Sequence, residues 1–309
     1  MIFPIKLGYL HFEVARPARW QEFLANIFGL PAPIANADGS SGYRVDGAAQ
    51  RIIVSEGRAD DLAALGLELP DADAVESLAR RLRSAGIAVR HAAPELRAAR
   101  RVERLVEFED PAGNRIEAGC GPQMADGAFA SSVIQGGFDT GELGLGHAVL
   151  ISHDLEAMER FYAGVLGFGV TERLNTRVGP VEVRGIFLHC NRRHHSLALF
   201  DLPLPKRMHH FMLQTRRLHD VGRAYERARQ HKVPFSLGLG QHPDPDGTFS
   251  FYGVTPSGFD FEIGSGAQAI EPGQWNTMQT TETSAWGHKP TFGLQLRMAR
   301  GLIASRLGL

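Results

Sequence analysis

The residues best able to do chemistry lie in the second half of the chain. His147 falls in Leu145-Gly-His-Ala-Val-Leu-Ile-Ser152, His210 in Met208-His-His-Phe-Met-Leu-Gln214, and Glu262 in Phe259-Asp-Phe-Glu-Ile263. Each segment has the two-residue alternation of a strand, with one apolar face and one face carrying the functional group. In the last of them Phe259, Phe261 and Ile263 share a face, and Asp260 and Glu262 share the other. A lone strand histidine or a solvated carboxylate is commonplace and implies nothing. Two imidazoles and one carboxylate converging on a point are different. They form the facial triad of non-haem Fe(II) enzymes, which leaves positions on the metal for a substrate and O2. Mn(II) is the alternative ion, because these ligand types separate the two metals poorly.

The elements that must position these groups recur within the chain. Leu7-Gly8-Tyr9 begins a strand followed by a helical pattern with Trp20, Phe23, Leu24 and Ile27 on one face, ending at Gly29. Leu145-Gly146-His147 begins the same sequence of elements 138 residues later, with Asp154 as N-cap, apolar Leu155, Met158, Phe161, Tyr162 and Val165, and a stop at Gly167. A strand-then-helix unit over Leu67–Ile87 recurs 146 residues on, and Pro111-Ala-Gly113 to Glu117 recurs as Pro256-Ser-Gly258 to Glu262 at an offset of 145. The expected fold is therefore α+β, with two tandem modules of paired βαβββ units. Each forms a curved, cup-like mixed sheet with helices on the outer face. The expected boundaries are 1–120, a Gly/Ser/Ala-rich linker at 121–142, a catalytic module at 143–266, and a tail at 267–309. The tail holds Pro272, Trp275 and Trp286 in irregular text and a short helix over Gln295–Leu307, with packing or cover of the cup mouth as its role.

The repeat also serves as an internal control. At the three ligand positions the first half carries Tyr9, Ala64 and Glu117, so two of the three ligands are missing there. That predicts one live site, in the second half, and a structural first half.

Other groups surround the triad. His195, at the entry to the strand Ser196–Phe200, is placed to shuttle a proton, against the alternative that His194-His195 is a surface pair. His242 lies in the loop Gly240-Gln-His-Pro-Asp-Pro-Asp-Gly247, which reads equally as a plain turn, just ahead of the strand that ends in Tyr252. Alternation turns His209 outward, so His210 is the preferred ligand. His11, His189, His219, His231 and His288 are read as structural or surface residues.

Composition excludes several function classes. The 309 residues carry a net charge of -1, which gives no electrostatic basis for binding nucleic acid or an anionic membrane. No apolar run reaches membrane-spanning length, and Met1-Ile-Phe-Pro-Ile-Lys6 lacks a signal layout, so a cytoplasmic location is expected. Two cysteines, Cys120 and Cys190, are too few for a disulfide framework and are read as buried thiols.

Three runs carry a family resemblance: Asn191-Arg-Arg-His-His195-Ser-Leu-Ala, Pro205-Lys-Arg-Met-His-His210-Phe-Met-Leu, and Phe251-Tyr252-x-x-Thr-Pro256-Ser-Gly258-x-x-x-Glu262. They resemble the type I extradiol ring-cleavage dioxygenases of the vicinal oxygen chelate superfamily, most of all the 2,3-dihydroxybiphenyl 1,2-dioxygenase group. The resemblance spans nearly the whole chain. It implies Fe(II) held at His147, His210 and Glu262, with His195, His242 and Tyr252 lining the pocket for substrate and O2. It also implies meta cleavage of a catechol-type diol to a ring-opened semialdehyde or oxo-dienoate, and a homo-oligomeric assembly. In the roles that follow, His195 takes and returns a diol proton, Tyr252 donates to a bound hydroxyl, and His242 stabilises developing negative charge. One departure stands out. The family has a His-x-Asn-Asp loop where this chain reads His242-Pro-Asp-Pro-Asp-Gly, one residue longer and without Asn, which bears on the placement of His242 and on substrate preference. The alternatives on the same scaffold are a glyoxalase-like metalloenzyme, working without O2, and a catechol-binding protein without catalysis.

Overall fold

A computed structural model of the chain describes residues 4–178, 181–271, 273 and 275–307; Pro272 lies outside them. Two mixed sheets dominate. Across the first the strands run Ile34–Ala35, Ser41–Tyr43, Ile52–Glu56, Lys6–Val14, Asp61–Glu68, Arg115–Pro122, Val102–Glu109 and Arg90–His91. Across the second they run Gly169–Val178, Val181–His189, Leu197–Asp201, His147–Ile151, Met208–Gln214, Asp260–Ser265, Phe249–Val254 and Phe235–Gln241, with one further short strand at each edge. Position by position the two orders match, as the internal repeat requires. The helices Ala72–Ser84 and Leu218–Gln230 are offset by 146 residues at both ends, the spacing read from the sequence.

The helices form where apolar spacing and caps direct. Pro17 occupies the first turn of Pro17–Ile27, and Trp20, Phe23, Leu24 and Ile27 bury one face at helical period. Asp71 accepts the Ala74 N–H at 2.8 Å and so caps Ala72–Ser84. One helix departs from the expected regularity. Leu155–Glu159 is α-helical, but Arg160–Val165 widens into a π turn before Gly167 stops it.

The helix-bearing faces of the two sheets pack on each other and share one core. Phe12 lies 5.5 Å from Phe211 and 5.2 Å from Phe259, and Phe23 lies 5.0 Å from Phe261, measured between ring centres. These rings come from both halves, and burying each is worth about 1.5–3 kcal/mol. The segment read as a linker joins this core: Ile134 and Phe138 are buried, and the Ser131 hydroxyl donates to Phe28 O at 2.7 Å.

The tail is more ordered than the sequence implied. Met278–Thr280 pairs in parallel with Gly169–Val178, and Trp286–Gly287 pairs antiparallel with Phe235–Gln241, covering both edges of the second sheet. The helix starts earlier than expected, at Phe292, and runs to Leu307. Among the described residues no helix is long and apolar enough to cross a membrane.

Candidate metal centre

His147, His210 and Glu262 converge on the concave face of the second sheet. Strand register brings them together: Met212 pairs with both His147 and Glu262, and His210 pairs with Val149, so His210 sits diagonally beside the row holding the other two. Close approach is secured just before His147. A Cβ at Gly146 would lie 1.9 Å from Met212 O, so a side chain there would push apart the strands that carry the two imidazoles. The first half helps to hold His210. Buried Asp61 accepts the N–H of Arg207 at 2.7 Å and of Met208 at 3.1 Å, fixing the entry to that strand.

The three ligand atoms are nearly equidistant. His147 Nε2 lies 3.2 Å from His210 Nε2 and 3.2 Å from Glu262 Oε2, and His210 Nε2 lies 3.4 Å from the same oxygen. All three residues are buried. Both Glu262 oxygens are buried without a hydrogen-bond donor. Such a carboxylate is costly unless a cation serves it. Ligands about 2.0–2.2 Å from one ion and near right angles to each other are separated by roughly this spacing. The donor set therefore fits a divalent metal. Burial lowers His147 to about 4, keeping its nitrogen free of a second proton. Burial alone would raise Glu262, but the imidazoles of His147, His210 and His242 hold it well below the usual carboxylate range.

The three expected pocket residues share this cup. The His195 ring lies 4.1 Å from that of His147 and 5.0 Å from that of Phe187, and burial pushes its pKa well below 6.5. The surface-pair alternative does not hold, because His194 and His195 are both buried. His242 reaches the cup despite its longer loop. Its Nδ1 bonds Thr283 O at 2.7 Å, and its Nε2 meets the Tyr252 hydroxyl at 2.8 Å and Glu262 Oε1 at 3.4 Å. Burial opposes its protonation, but Glu262 and Asp246 together raise it to about 9. Tyr252 pairs across the sheet with Glu262, and burial raises its hydroxyl well above 10.

Several site residues were not anticipated. His209 lines the cup instead of facing outward, because the register slips between Met208 and His210 and leaves it in a bulge that breaks the alternation. His288, expected to be structural or surface, is buried and lines the cup, its Nε2 3.2 Å from the Ser250 hydroxyl. Glu172 and Asp246 are also buried there, and burial with the neighbouring Asp246 charge raises Glu172 to about 7. Two acids drawn in among histidines offered no spacing signal. His189 is buried against the Thr171 hydroxyl at 2.8 Å, and His219 and His231 are exposed.

The matching place in the first half is filled differently. Glu117 is fully buried there and accepts from Arg100 Nε at 2.7 Å, from Arg100 Nη2 at 3.1 Å and from the Tyr9 hydroxyl. Arg115 adds a contact at 2.8 Å, and Arg100 Nη2 also meets His11 Nδ1 at 3.0 Å. A guanidinium thus neutralises the carboxylate where the second half brings together groups that could hold a metal ion. His11 belongs to this cluster.

Comparison with known proteins agrees with the architecture. Residues 144–263 match the family described as glyoxalase/bleomycin resistance protein/dioxygenase superfamily, and residues 7–57 match the first domain of dihydroxybiphenyl dioxygenase. The chain is 40% identical over 285 residues to biphenyl-2,3-diol 1,2-dioxygenase of Paraburkholderia xenovorans, covering 92% of this chain and 94% of that protein. It is 38% identical to 3-methylcatechol 2,3-dioxygenase of Pseudomonas putida, covering 92% and 97% respectively. The crystal structure of a halotolerant catechol dioxygenase superposes with a TM-score of 0.86 at 33% identity, covering 94% of this chain and 96% of that one. The chain belongs to the extradiol ring-cleavage dioxygenases of the vicinal oxygen chelate superfamily.

Proposed function

We propose that the chain cleaves a catechol-type aromatic diol with O2 beside the diol, at Fe(II) held by His147, His210 and Glu262. The observation that carries this reading is the set of three buried ligand atoms mutually 3.2–3.4 Å apart, one of them a carboxylate oxygen that makes no hydrogen bond. When bound, the metal acidifies the diol it chelates and brings it together with O2.

The chain supplies the rest. His195, its ring 4.1 Å from that of His147, accepts a proton from the diol and returns it later in the cycle. Tyr252 donates its hydroxyl hydrogen to a diol oxygen. His242, oriented by Thr283 O, supports that hydroxyl and adds positive charge near developing anions. Around these polar groups the cup is apolar, formed by side chains such as Val149, Leu174, Phe187 and Phe200, which keep water from the ring.

On this reading residues 143–266 are the catalytic module and 1–120 its metal-free twin, with 121–142 a strap between them and 267–309 a closing tail. A homo-oligomer is proposed on family grounds, with the mass in solution as its check. A cytoplasmic location accords with two buried, unpaired cysteines.

The decisive experiment is oxygen uptake by Fe(II)-reconstituted protein across a panel of catechols, with the yellow ring-opened product followed by absorbance. O2 consumption in step with product supports the reading. Catechol binding without O2 use, or anaerobic turnover of a thiol adduct, refutes it.

A further inference from the structure

Beside the triad lies a second group of potential ligands, His194, His195 and Asp246, whose ligand atoms are all within 4.8 Å of one another. His194 Nδ1 is 3.1 Å from His195 Nδ1, the spacing of two nitrogens about 2.1 Å from one ion and near right angles to each other. All three residues are buried; Asp246, the most accessible, is 8% exposed. Two loops bring them together. The histidines end the turn between Val181–His189 and Leu197–Asp201, where the Thr171 hydroxyl donates to His194 O at 2.6 Å and Arg193 donates to Asp139 O at 2.8 Å. Asp246 lies in the loop between Phe235–Gln241 and Phe249–Val254. There the Gln268 N–H donates to Asp246 O at 3.0 Å, and the Thr248 hydroxyl donates to Asp246 Oδ1 at 2.6 Å. The donor set is thus held in place by the fold itself.

A hydrogen bond between the two imidazoles does not account for the arrangement. Such a bond uses one N–H and leaves His194 Nε2 buried without a partner. If His194 donates, that nitrogen is a bare acceptor; if His194 accepts, its Nε2–H reaches no oxygen, since Glu172 Oε2 stands 3.8 Å away. A cation on His194 Nδ1 resolves this. It leaves the proton on Nε2, directed at the Glu172 carboxylate, in the carboxylate–histidine–metal order that orients ligating imidazoles. Two buried acids among histidines, Asp246 as ligand and Glu172 behind His194, then have a cation to serve.

We propose that His194, His195 and Asp246 form a second divalent-cation site, suited to Zn(II), whose occupation stops turnover. Imidazole nitrogen and carboxylate oxygen are zinc ligands, and water completes the coordination. The site shares no residue with His147, His210 and Glu262. Inhibition follows from the part of His195. An ion on its Nδ1 leaves the ring proton on Nε2, so no nitrogen of that ring is free to accept a proton from the diol. The inhibitory effect rests on the ring-cleavage reading; occupation of the site does not.

The test counts zinc. Metal-free protein is dialysed against a low concentration of Zn(II), and bound zinc is measured by elemental analysis. Two ions per chain are expected for the unaltered protein, one for Glu262→Ala, one for His194→Leu and none for the double variant. Iron-loaded protein is then titrated with Zn(II). O2 uptake should stop while the iron content holds. The concentration for half inhibition should rise by about a hundredfold in His194→Leu and about tenfold in Glu172→Gln, each read against that variant's own uninhibited rate. A single zinc in the unaltered protein, or a second ion that survives His194→Leu, would overturn the site. Inhibition only as iron leaves, or full O2 uptake with the second ion bound, would overturn its inhibitory role. If Glu262→Ala fails to fold, the drop from two ions to one in His194→Leu still decides. Absence of O2 uptake before zinc is added would refute the ring-cleavage reading, while the zinc count would still judge the site.

Discussion

Replacing Glu117 by Ala tests the proposal that the first half is structural and the second half chemical. The side chain accepts from Tyr9, twice from Arg100 and once from Arg115. Arg115 is not stranded by the change. It is 39% exposed and also meets Glu107 at 2.6 Å, so it can turn to water. Arg100 has no such escape: its side chain is 2% exposed, and it would keep only His11 at 3.0 Å and the Asp38 contact at 3.4 Å. Removing one partner of a buried ion pair costs about 3–5 kcal/mol, and that loss is expected in urea unfolding near neutral pH. Iron content after reconstitution, and the kcat of the folded fraction, are expected to stay at the unaltered level. The double variant Glu117→Ala with Arg100→Met should recover much of the loss, because it removes the stranded charge as well as its partner. Acid should have a related effect on the unaltered protein. Burial would raise the Glu117 carboxyl, but the Arg100 bond and charge hold it below 4.5. Its contribution is therefore complete above the unfolded pKa and lost as pH falls through the folded one. Loss of iron from folded Glu117→Ala protein would reverse the assignment of the two halves. Unchanged stability would refute the energetic argument for the Arg100 pair.

Three further outcomes follow from the second half. Glu262→Ala should abolish retention of Fe(II), measured by elemental analysis after desalting, since it removes the one charged ligand of the set; full occupancy would end the metal assignment. His195→Phe should keep its iron and lose turnover by about a hundredfold or more, so an unchanged kcat would deny that histidine a part in proton transfer. Glu172→Gln should stabilise the protein above neutrality. The folded carboxyl keeps its proton to about pH 7 while the unfolded one loses it near 4.5, so the unaltered protein loses stability as pH rises between those values. The difference at pH 8 is on the order of 2–3 kcal/mol, and melting curves of the two proteins that stay parallel from pH 5 to 8 would dispose of it.

Much of this arrangement was legible in the sequence because its signals are periodic. Alternation in Phe259–Ile263 and around His147 and His210 identified the strands and the faces they present. The repeated helix pattern then fixed the module order, since an apolar face at period 3.6 has few other places to go. What escaped was aperiodic. The bulge at His209 depends on one extra residue between two pairings, and nothing in Met-His-His-Phe marks which of them is extra. The short edge strands at Met278–Thr280 and Trp286–Gly287, of three and two residues, are too short to show an alternating pattern and form where the sheet offers them unpaired groups. Arg100 was invisible as the partner of Glu117: it closes the short helix Pro94–Arg100, and only the folded sheet brings it 2.7 Å from that carboxylate. His288 and Met298 reached the cup through a tail whose text has no pattern that points inward.

The guanidinium inside the N-terminal cup has a practical consequence for how such a protein copes with scarcity. A chelator has no hold on an arginine, and a cell short of iron cannot withhold one. Half of the molecule thus carries a counter-ion written into its own sequence, and on the proposed reading it would be the standing frame on which the other half loses and regains its metal.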